Sequence, residues 1–134
     1  MKKFTILIPV YNDWQSLEKL LNNINDNIKN IKNVKFNCII INDCSNIKNP
    51  GIKIPKKIES IKIINMKENR GHARCNALGI RYLSENSDLD YVILMDGDGE
   101  DRPEEIKLLI EAVLIKPNTS VVAKRIKRSE GFLF

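Results

Sequence analysis

The chain has 134 residues, of which 43% are hydrophobic and 29% charged, and its formal net charge is +5. This length suits one domain, and no apolar run reaches the roughly 18 residues that a membrane span requires. The cations are spread along the chain and are not interleaved with aromatic residues, so we expect no nucleic-acid partner. Because the N-terminus lacks a signal-peptide pattern and the three cysteines form no Cys-x-x-Cys pair, we expect a cytoplasmic protein.

Strand and helix patterns alternate along the chain. Apolar runs bounded by turn residues predict strands at Phe4–Val10, Phe36–Asn42, Ile61–Met66, Tyr91–Met95 and Ser120–Ala123. Helical spacing of apolar residues predicts a helix capped by Asn12, a second over Gly71–Leu83, and a third beginning at Pro103. Residues 44–57 are predicted to form a loop. This order favours the α/β class, with a mostly parallel sheet and helices on both faces.

Polar residues follow several of the predicted strands directly. Tyr11 follows the first strand, Asp43 the second, and Asp96 the fourth. In open parallel sheets, ligands bind at the carboxyl ends of the strands, close to a switch in strand order. We therefore expect these three side chains to share one edge of the sheet.

The segment Asp96-Gly97-Asp98 is the strongest single motif, and it follows an apolar run that predicts a buried strand. Alternate residues of an extended chain point the same way, so the two carboxylates can converge on one ion. Their hard oxygen atoms suit Mg²⁺ or Mn²⁺, which also bind substrate phosphates. The alternative is an acidic turn before a helix, since Asp and Gly both favour turns. A calcium EF-hand loop does not fit, because Asp101 stands where that loop needs glycine.

The other strand ends offer weaker signals, each with a structural alternative. Tyr11 can stack on a nucleotide base, or simply belong to a turn. The Asp43 carboxylate can accept a hydrogen bond from a ring N–H of uracil or guanine, or form a turn. His72 suits a structural or surface role better than that of a general base. Arg125 and Arg128 can bind a diphosphate bidentately, or form a basic surface turn.

Together these motifs resemble glycosyltransferase family 2, which has the GT-A fold, a Rossmann-like α/β architecture. The resemblance rests on four ordered segments: Ile8-Pro9-Val10-Tyr11-Asn12, Asn42-Asp43-Cys44-Ser45, Asn69-Arg70-Gly71-His72 and Asp96-Gly97-Asp98. The stretch from Asp96 to Glu104 is most similar to the polyprenyl-phosphate branch, which includes dolichyl-phosphate mannose synthase. The resemblance implies sugar transfer with inversion from a UDP- or GDP-sugar, and an acceptor such as a polyprenyl phosphate. Such an acceptor would place the chain at the inner face of the membrane, in the synthesis of cell-envelope polysaccharides.

The resemblance also implies a set of site residues. The base and ribose would be held by Pro9, Tyr11, Asp13, Ile41 and Asp43. Asp96 and Gly97 would contact ribose and diphosphate, and Arg125 would contact the donor. Asp98 and Glu100 would ligate Mg²⁺ or Mn²⁺ with help from Asp96. Glu100 departs from the branch, which usually has Gln at this position.

Members of this family are longer than 134 residues, and the acceptor-binding half and many catalytic carboxylates lie in the part beyond this chain. We therefore expect residues 1–134 to be the nucleotide-sugar-binding part of a truncated domain, with no catalytic base of their own. The apolar ending Phe132-Leu133-Phe134 predicts self-association or a partner. Two alternatives stay open: a binding module that does not turn its ligand over, and a nucleotidyltransferase-like α/β enzyme. The latter would normally carry a glycine-rich loop after the first strand, where this chain has Pro9–Asp13.

Overall fold

The computed structural model describes residues 1–86, 88–96 and 102–116. Strands and helices follow one another in the predicted order within these ranges. They are β1 (Lys2–Val10), α1 (Trp14–Ile28), β2 (Val34–Asn42), β3 (Ile58–Asn65), α2 (His72–Asn86), β4 (Tyr91–Leu94), a 3₁₀ turn (Pro103–Glu105) and α3 (Ile106–Ile115). The predicted fifth strand, Ser120–Ala123, lies outside the described residues.

The four strands form one parallel sheet in the order β3-β2-β1-β4. The chain adds β2 and β3 on one side of β1, and then crosses over through α2 to add β4 on the other side. The change of direction falls between β1 and β4, which is where a ligand crevice is expected in an open parallel sheet. This topology confirms the predicted fold class.

The two faces of the sheet carry different helices, because successive strand residues point to opposite faces. Ile6 and Ile8 of β1 belong to a core cluster that includes the buried stripe of α1 and Ile106 of α3. Leu7, between them in sequence, packs in a second cluster with Cys75 of α2. The prediction of helices on both faces is therefore confirmed.

Gly79 lies inside α2, where glycine normally weakens a helix. A Cβ atom at this position would lie 2.5 Å from Cδ1 of Leu7. Leu7 is fully buried. The glycine therefore lets α2 pack closely on β1, which accounts for its presence inside a helix.

Two local predictions are wrong. Asn12 does not cap α1; Asp13 does, and its Oδ1 accepts a hydrogen bond from Ser16 N at 3.1 Å. Asn12 instead has a φ of 63° and belongs to the turn before the helix. The second concerns β4, which is only partly buried, since Val92 and Leu94 are 37% and 47% exposed. The reason for the second difference is that α2 packs mainly against β1 and β2.

The loop between β2 and β3 crosses over the face that carries α1. Trp14 Nε1 donates to Ile47 O at 2.7 Å, and Lys57 N donates to Asn25 Oδ1 at 2.8 Å. These bonds join the loop to α1 and allow β3 to run parallel to β2 without an intervening helix. Among the described residues, no helix is both long and apolar enough to cross a membrane.

Candidate functional site at the carboxyl ends of the strands

Tyr11, Asp43 and Asp96 lie at the same edge of the sheet. Asp43 N donates to Val10 O at 2.8 Å, so the end of β2 lies beside the end of β1. Met95 N donates to Leu7 O at 3.0 Å, which continues the β4 pairing to the residue before Asp96. Since neighbouring strands are roughly 4.8 Å apart, the three residues follow adjacent strands within reach of a single small molecule.

The turn after β1 is fixed to the loop after β2 by Asn12. Its Oδ1 accepts hydrogen bonds from Asn46 N at 2.7 Å and Ile47 N at 3.1 Å, and its own N–H donates to Ser45 Oγ at 2.8 Å. Asparagine tolerates the left-handed backbone that this turn requires. Tyr11 is 41% exposed, and Asn46 Nδ2 donates to its Oη at 3.3 Å. An exposed ring on an anchored turn is suited to stacking.

Three other predicted donor-site residues have structural roles in the fold. Pro9 and Ile41 are partners in the β1–β2 register, and both are buried. Asp13 is exposed and caps α1. All three lie within two residues of Tyr11 or Asp43, so they belong to the same edge of the sheet.

Asp43 is the most constrained acid among the described residues, with an exposure of 2%. Its Oδ1 accepts a hydrogen bond from Arg70 N at 2.7 Å, and its Oδ2 accepts one from Gly71 N at 2.8 Å. Asn69 Nδ2 also donates to the Asp43 carbonyl at 3.1 Å. The carboxylate therefore lies just before the N-terminus of α2, where a negative charge stabilises a helix.

The thiol of Cys75, a residue of α2, interacts with the same carboxylate. Burial raises its pKa to about 12, with further contributions from the negative charge of Asp43 and from the hydrogen bond that the thiol donates to it. Each carboxylate oxygen can accept two hydrogen bonds. Asp43 therefore keeps some acceptor capacity beyond its contacts to Arg70 and Gly71.

The segment that Asp43 holds brings His72 to Asp96. His72 begins α2, and its Nδ1 lies 3.5 Å from Oδ1 of Asp96. The side chains are 45% and 38% exposed, respectively, so both are open to a ligand. Asn-Arg-Gly-His and the first acid of the Asp-x-Asp motif therefore meet at the strand ends.

The proposed metal ligands are described only in part. Asp96 offers an accessible carboxylate, whose hard oxygen atoms fit Mg²⁺ or Mn²⁺. Asp98 and Glu100 lie outside the described residues, as do Gly97 and Arg125. Within the described ranges no three metal-ligating side chains form a cluster.

Several contacts of this site were not predicted from the sequence. Asp43 was expected to face a base, and its bonds to Arg70 and Gly71 were not foreseen. The contact between His72 and Asp96 was missed as well. One signal did point to it, because a histidine at the start of a helix between parallel strands lies near the carboxyl end of the sheet.

Comparison with known proteins identifies the family. The family model described as glycosyl transferase family 2 matches residues 5–134. The chain belongs to this family. This membership confirms the resemblance that the four motifs indicated.

Individual proteins that the chain resembles carry more specific names. The chain is 27% identical to a UDP-N-acetylglucosamine–dolichyl-phosphate N-acetylglucosaminyltransferase of Methanococcus voltae, over 98% of this chain and 55% of that protein. It is 29% identical to an undecaprenyl-phosphate 4-deoxy-4-formamido-L-arabinose transferase of Aeromonas hydrophila, over 85% of this chain and 34% of that protein. Among solved structures, S. aureus TarS (residues 1–349) matches with a TM-score of 0.60 and 18% identity, over 92% of this chain and 39% of that one.

These comparisons bear on fold and on length. The TarS likeness supports the fold alone, given its low identity. The chain spans about half of the Methanococcus voltae protein and about a third of the Aeromonas hydrophila protein. Both of these relatives are named as transferases that act on a polyprenyl phosphate, which agrees with the branch indicated by the Asp96–Glu104 stretch.

Proposed function

We propose that this chain binds the donor in a glycosyltransferase that moves a sugar from a UDP- or GDP-sugar to a polyprenyl phosphate, with inversion. The observation that carries the proposal is the arrangement around Asp43. Its carboxylate holds the loop that enters α2, and the first residue of α2 lies 3.5 Å from Asp96. Three segments typical of the family thus meet at one edge of the sheet.

The base would bind at the β1–β2 side of this edge. We infer that the exposed ring of Tyr11 stacks on the base, and that Asp43 accepts a hydrogen bond from a ring N–H through its remaining lone pairs. Pro9 and Ile41 are buried, so their contribution is the shape of the strand ends. Asp13 would act beside the ribose, in addition to capping α1.

The diphosphate would bind on the β4 side. Asp96 and Gly97 would contact ribose and diphosphate, and Arg125 would contact the donor. Asp96, Asp98 and Glu100 would hold Mg²⁺ or Mn²⁺, three carboxylates that match the oxygen preference of these ions. When bound, such an ion neutralises charge on a leaving diphosphate.

The transfer itself would be a single displacement at the anomeric carbon. An oxygen of the acceptor phosphate forms a bond to that carbon, and the bond from the carbon to the diphosphate breaks with inversion. Because a phosphate acceptor is already anionic, the step needs no base to remove a proton. The names of the two polyprenyl-phosphate transferase relatives support this acceptor class.

A panel of nucleotide sugars tests the donor assignment. The melting temperature of the chain is measured with UDP-, GDP-, CDP- and dTDP-sugars, each with and without Mn²⁺. The proposal expects the largest stabilisation from a UDP- or GDP-sugar with the ion present, because a ligand that binds only the folded state raises its stability. The absence of stabilisation by every nucleotide sugar would contradict it.

Two substitutions of Tyr11 sharpen this test. Tyr11→Phe keeps a ring that can stack, whereas Tyr11→Ala removes it. Stacking of a base on an aromatic ring contributes roughly 1–3 kcal/mol. Tyr11→Ala is therefore expected to weaken nucleotide affinity by about 5-fold to 150-fold, and Tyr11→Phe to preserve it. Equal nucleotide affinities of the two variants would show that the Tyr11 ring does not stack on the base.

A second candidate function is donor binding without turnover. The observation that favours it is the coverage of the relatives, since the chain matches 55% and 34% of their lengths. We propose that residues 1–134 hold the donor-binding part and that the acceptor groups come from polypeptide outside them. Nucleotide-sugar affinity without transfer to a polyprenyl phosphate would favour this second candidate. Transfer by the 134-residue chain alone would refute it.

A further inference from the structure

A cleft of about 660 Å³ lies between the edge strand β3 and α2, and it is open to solvent. Residues from the end of β3 and the segment after it form one wall, and residues of α2 form the other. Four cations line it against one acid, which leaves a net charge of +3: Lys67, Arg70, Arg74 and Arg81, with Glu68. The flank of the sheet that carries the cleft lies on the far side of β2 from β1 and β4.

Only part of this positive charge is compensated within the described residues. Arg70 Nη2 pairs with Glu68 Oε2 at 3.1 Å, and Arg81 Nε lies 3.6 Å from Oε1 of Glu85. Among the described side chains, Lys67 and Arg74 form no ion pair. The cleft therefore presents cations that an anionic group from outside can approach.

The cleft also has apolar walls. Ile64, Met66, Ala77 and Leu78 contribute to its lining, and Leu78 is 37% exposed. Arg74, Leu78 and Arg81 are spaced along α2 so that they share one side of the helix. A cation, an apolar side chain and a second cation thus follow each other along one stripe of α2.

We propose that this cleft docks the chain on an anionic lipid bilayer and takes the phosphate of a lipid headgroup between its cations. The charge is complementary to such a surface, and guanidinium groups suit phosphate because they bind it bidentately. Leu78 and the apolar walls match the non-polar part of a lipid. None of the described residues that line the cleft is aromatic, so it offers no ring for stacking a base. This inference is independent of the proposed transfer reaction.

Vesicle co-sedimentation with the full chain tests the proposal. Vesicles of phosphatidylcholine are compared with vesicles in which part of this lipid is replaced by phosphatidylglycerol. We expect binding to the second kind, and we expect the Arg74→Gln, Arg81→Gln double variant to bind roughly 25-fold more weakly. This follows from about five-fold per cation, which corresponds to about 1 kcal/mol near an anionic surface.

The matched control removes the same charge elsewhere. Lys19 and Lys32 are exposed and do not line the cleft, so Lys19→Gln, Lys32→Gln is expected to retain most of the vesicle binding. An equal loss in both double variants would show general attraction of a cationic protein, and would overturn the proposal. Absence of any preference for phosphatidylglycerol would overturn it as well.

Added UDP separates a lipid phosphate from a nucleotide phosphate. The proposal expects an excess of UDP to leave vesicle binding unchanged, and expects the Arg74→Gln, Arg81→Gln variant to bind UDP as the unaltered chain does. If UDP displaces the chain from vesicles and the variant loses UDP affinity, the cleft belongs to the donor site and the proposal is wrong. If the Arg74→Gln, Arg81→Gln variant loses vesicle binding and keeps its UDP affinity, as expected, the proposed function is unaffected.

Discussion

Replacing Asp43 by Asn is expected to destabilise the fold through the backbone of the segment before α2. The carboxylate accepts hydrogen bonds from Arg70 N at 2.7 Å and Gly71 N at 2.8 Å, and it is 2% exposed. An amide has one acceptor oxygen, so its NH₂ group faces one of these donors and leaves that donor unsatisfied. Loss of a hydrogen bond to a charged group costs about 1.5–3 kcal/mol. The free energy of unfolding should therefore fall by about 1.5–3 kcal/mol.

Urea denaturation measures this change. An unaltered slope of unfolding free energy against urea concentration would show that the folded and unfolded states keep their compactness. Asp13→Asn is the matched control, because Asn caps a helix about as well as Asp. It should change the unfolding free energy by less than about 0.5 kcal/mol. Amide hydrogen exchange gives a second readout, in which the N–H groups of Arg70 and Gly71 lose protection in Asp43→Asn.

The reasoning is refuted if Asp43→Asn is as stable as the unaltered chain, or if the Arg70 and Gly71 amides exchange at the same rate in both. A loss of nucleotide affinity in a variant that kept full stability would assign Asp43 to base recognition alone. We expect stability and affinity to fall together, because the carboxylate holds the loop and is proposed to accept a hydrogen bond from the base.

Two further predictions concern the packing of α2. Gly79→Ala should destabilise the chain by about 1 kcal/mol or more, because the 2.5 Å approach to Leu7 Cδ1 forces overpacking that outweighs the helix propensity of alanine. Adding Leu7→Val to this variant should recover part of the lost free energy of unfolding, as measured by urea denaturation. A net gain in stability for Gly79→Ala alone would contradict the packing. The raised pKa of Cys75 stabilises the folded state below about pH 9, and this stabilisation is lost as the pH rises towards 12. Cys75→Ser should make the decline of the unfolding free energy with pH shallower by about 1.4 kcal/mol per pH unit. Cys44→Ser is the control. Equal slopes of unfolding free energy against pH in the two variants would be inconsistent with a buried Cys75 thiol.

The fold was largely predictable because buried parallel strands form continuous apolar runs. The runs at Phe4–Val10 and Phe36–Asn42 were found with correct C-terminal ends, which are the ends that place the site. The N-terminal ends were each predicted two residues too late, since β1 begins at Lys2 and β2 at Val34. Lys2, Lys3 and Lys35 continue the backbone ladder without contributing to the apolar pattern, and Lys35 separates Val34 from the apolar run.

The site was predictable only where topology decides it. Parallel strands bring their carboxyl ends to one edge, so the meeting of Tyr11, Asp43 and Asp96 followed from the element order. The bonds of Asp43 to Arg70 and Gly71 depend on the path of the loop after β3, which no sequence period specifies. Gly71 has a φ of 89° and permits that path. The helix cap was predicted at Asn12, one residue before the observed cap at Asp13, because Asn12 adopts a left-handed backbone conformation.

Nucleotide binding measured with and without Mn²⁺ tests the central claim most directly. Calorimetric titration of the best nucleotide sugar from the panel is made on the unaltered chain and on Asp98→Asn. If Asp96, Asp98 and Glu100 hold the ion against the diphosphate, Mn²⁺ should tighten nucleotide binding by roughly ten-fold, within the range for two coupled ligands. Asp98→Asn should lose this gain and keep the far-ultraviolet circular dichroism of the fold. Affinity that is the same with and without the ion in the unaltered chain would contradict the account.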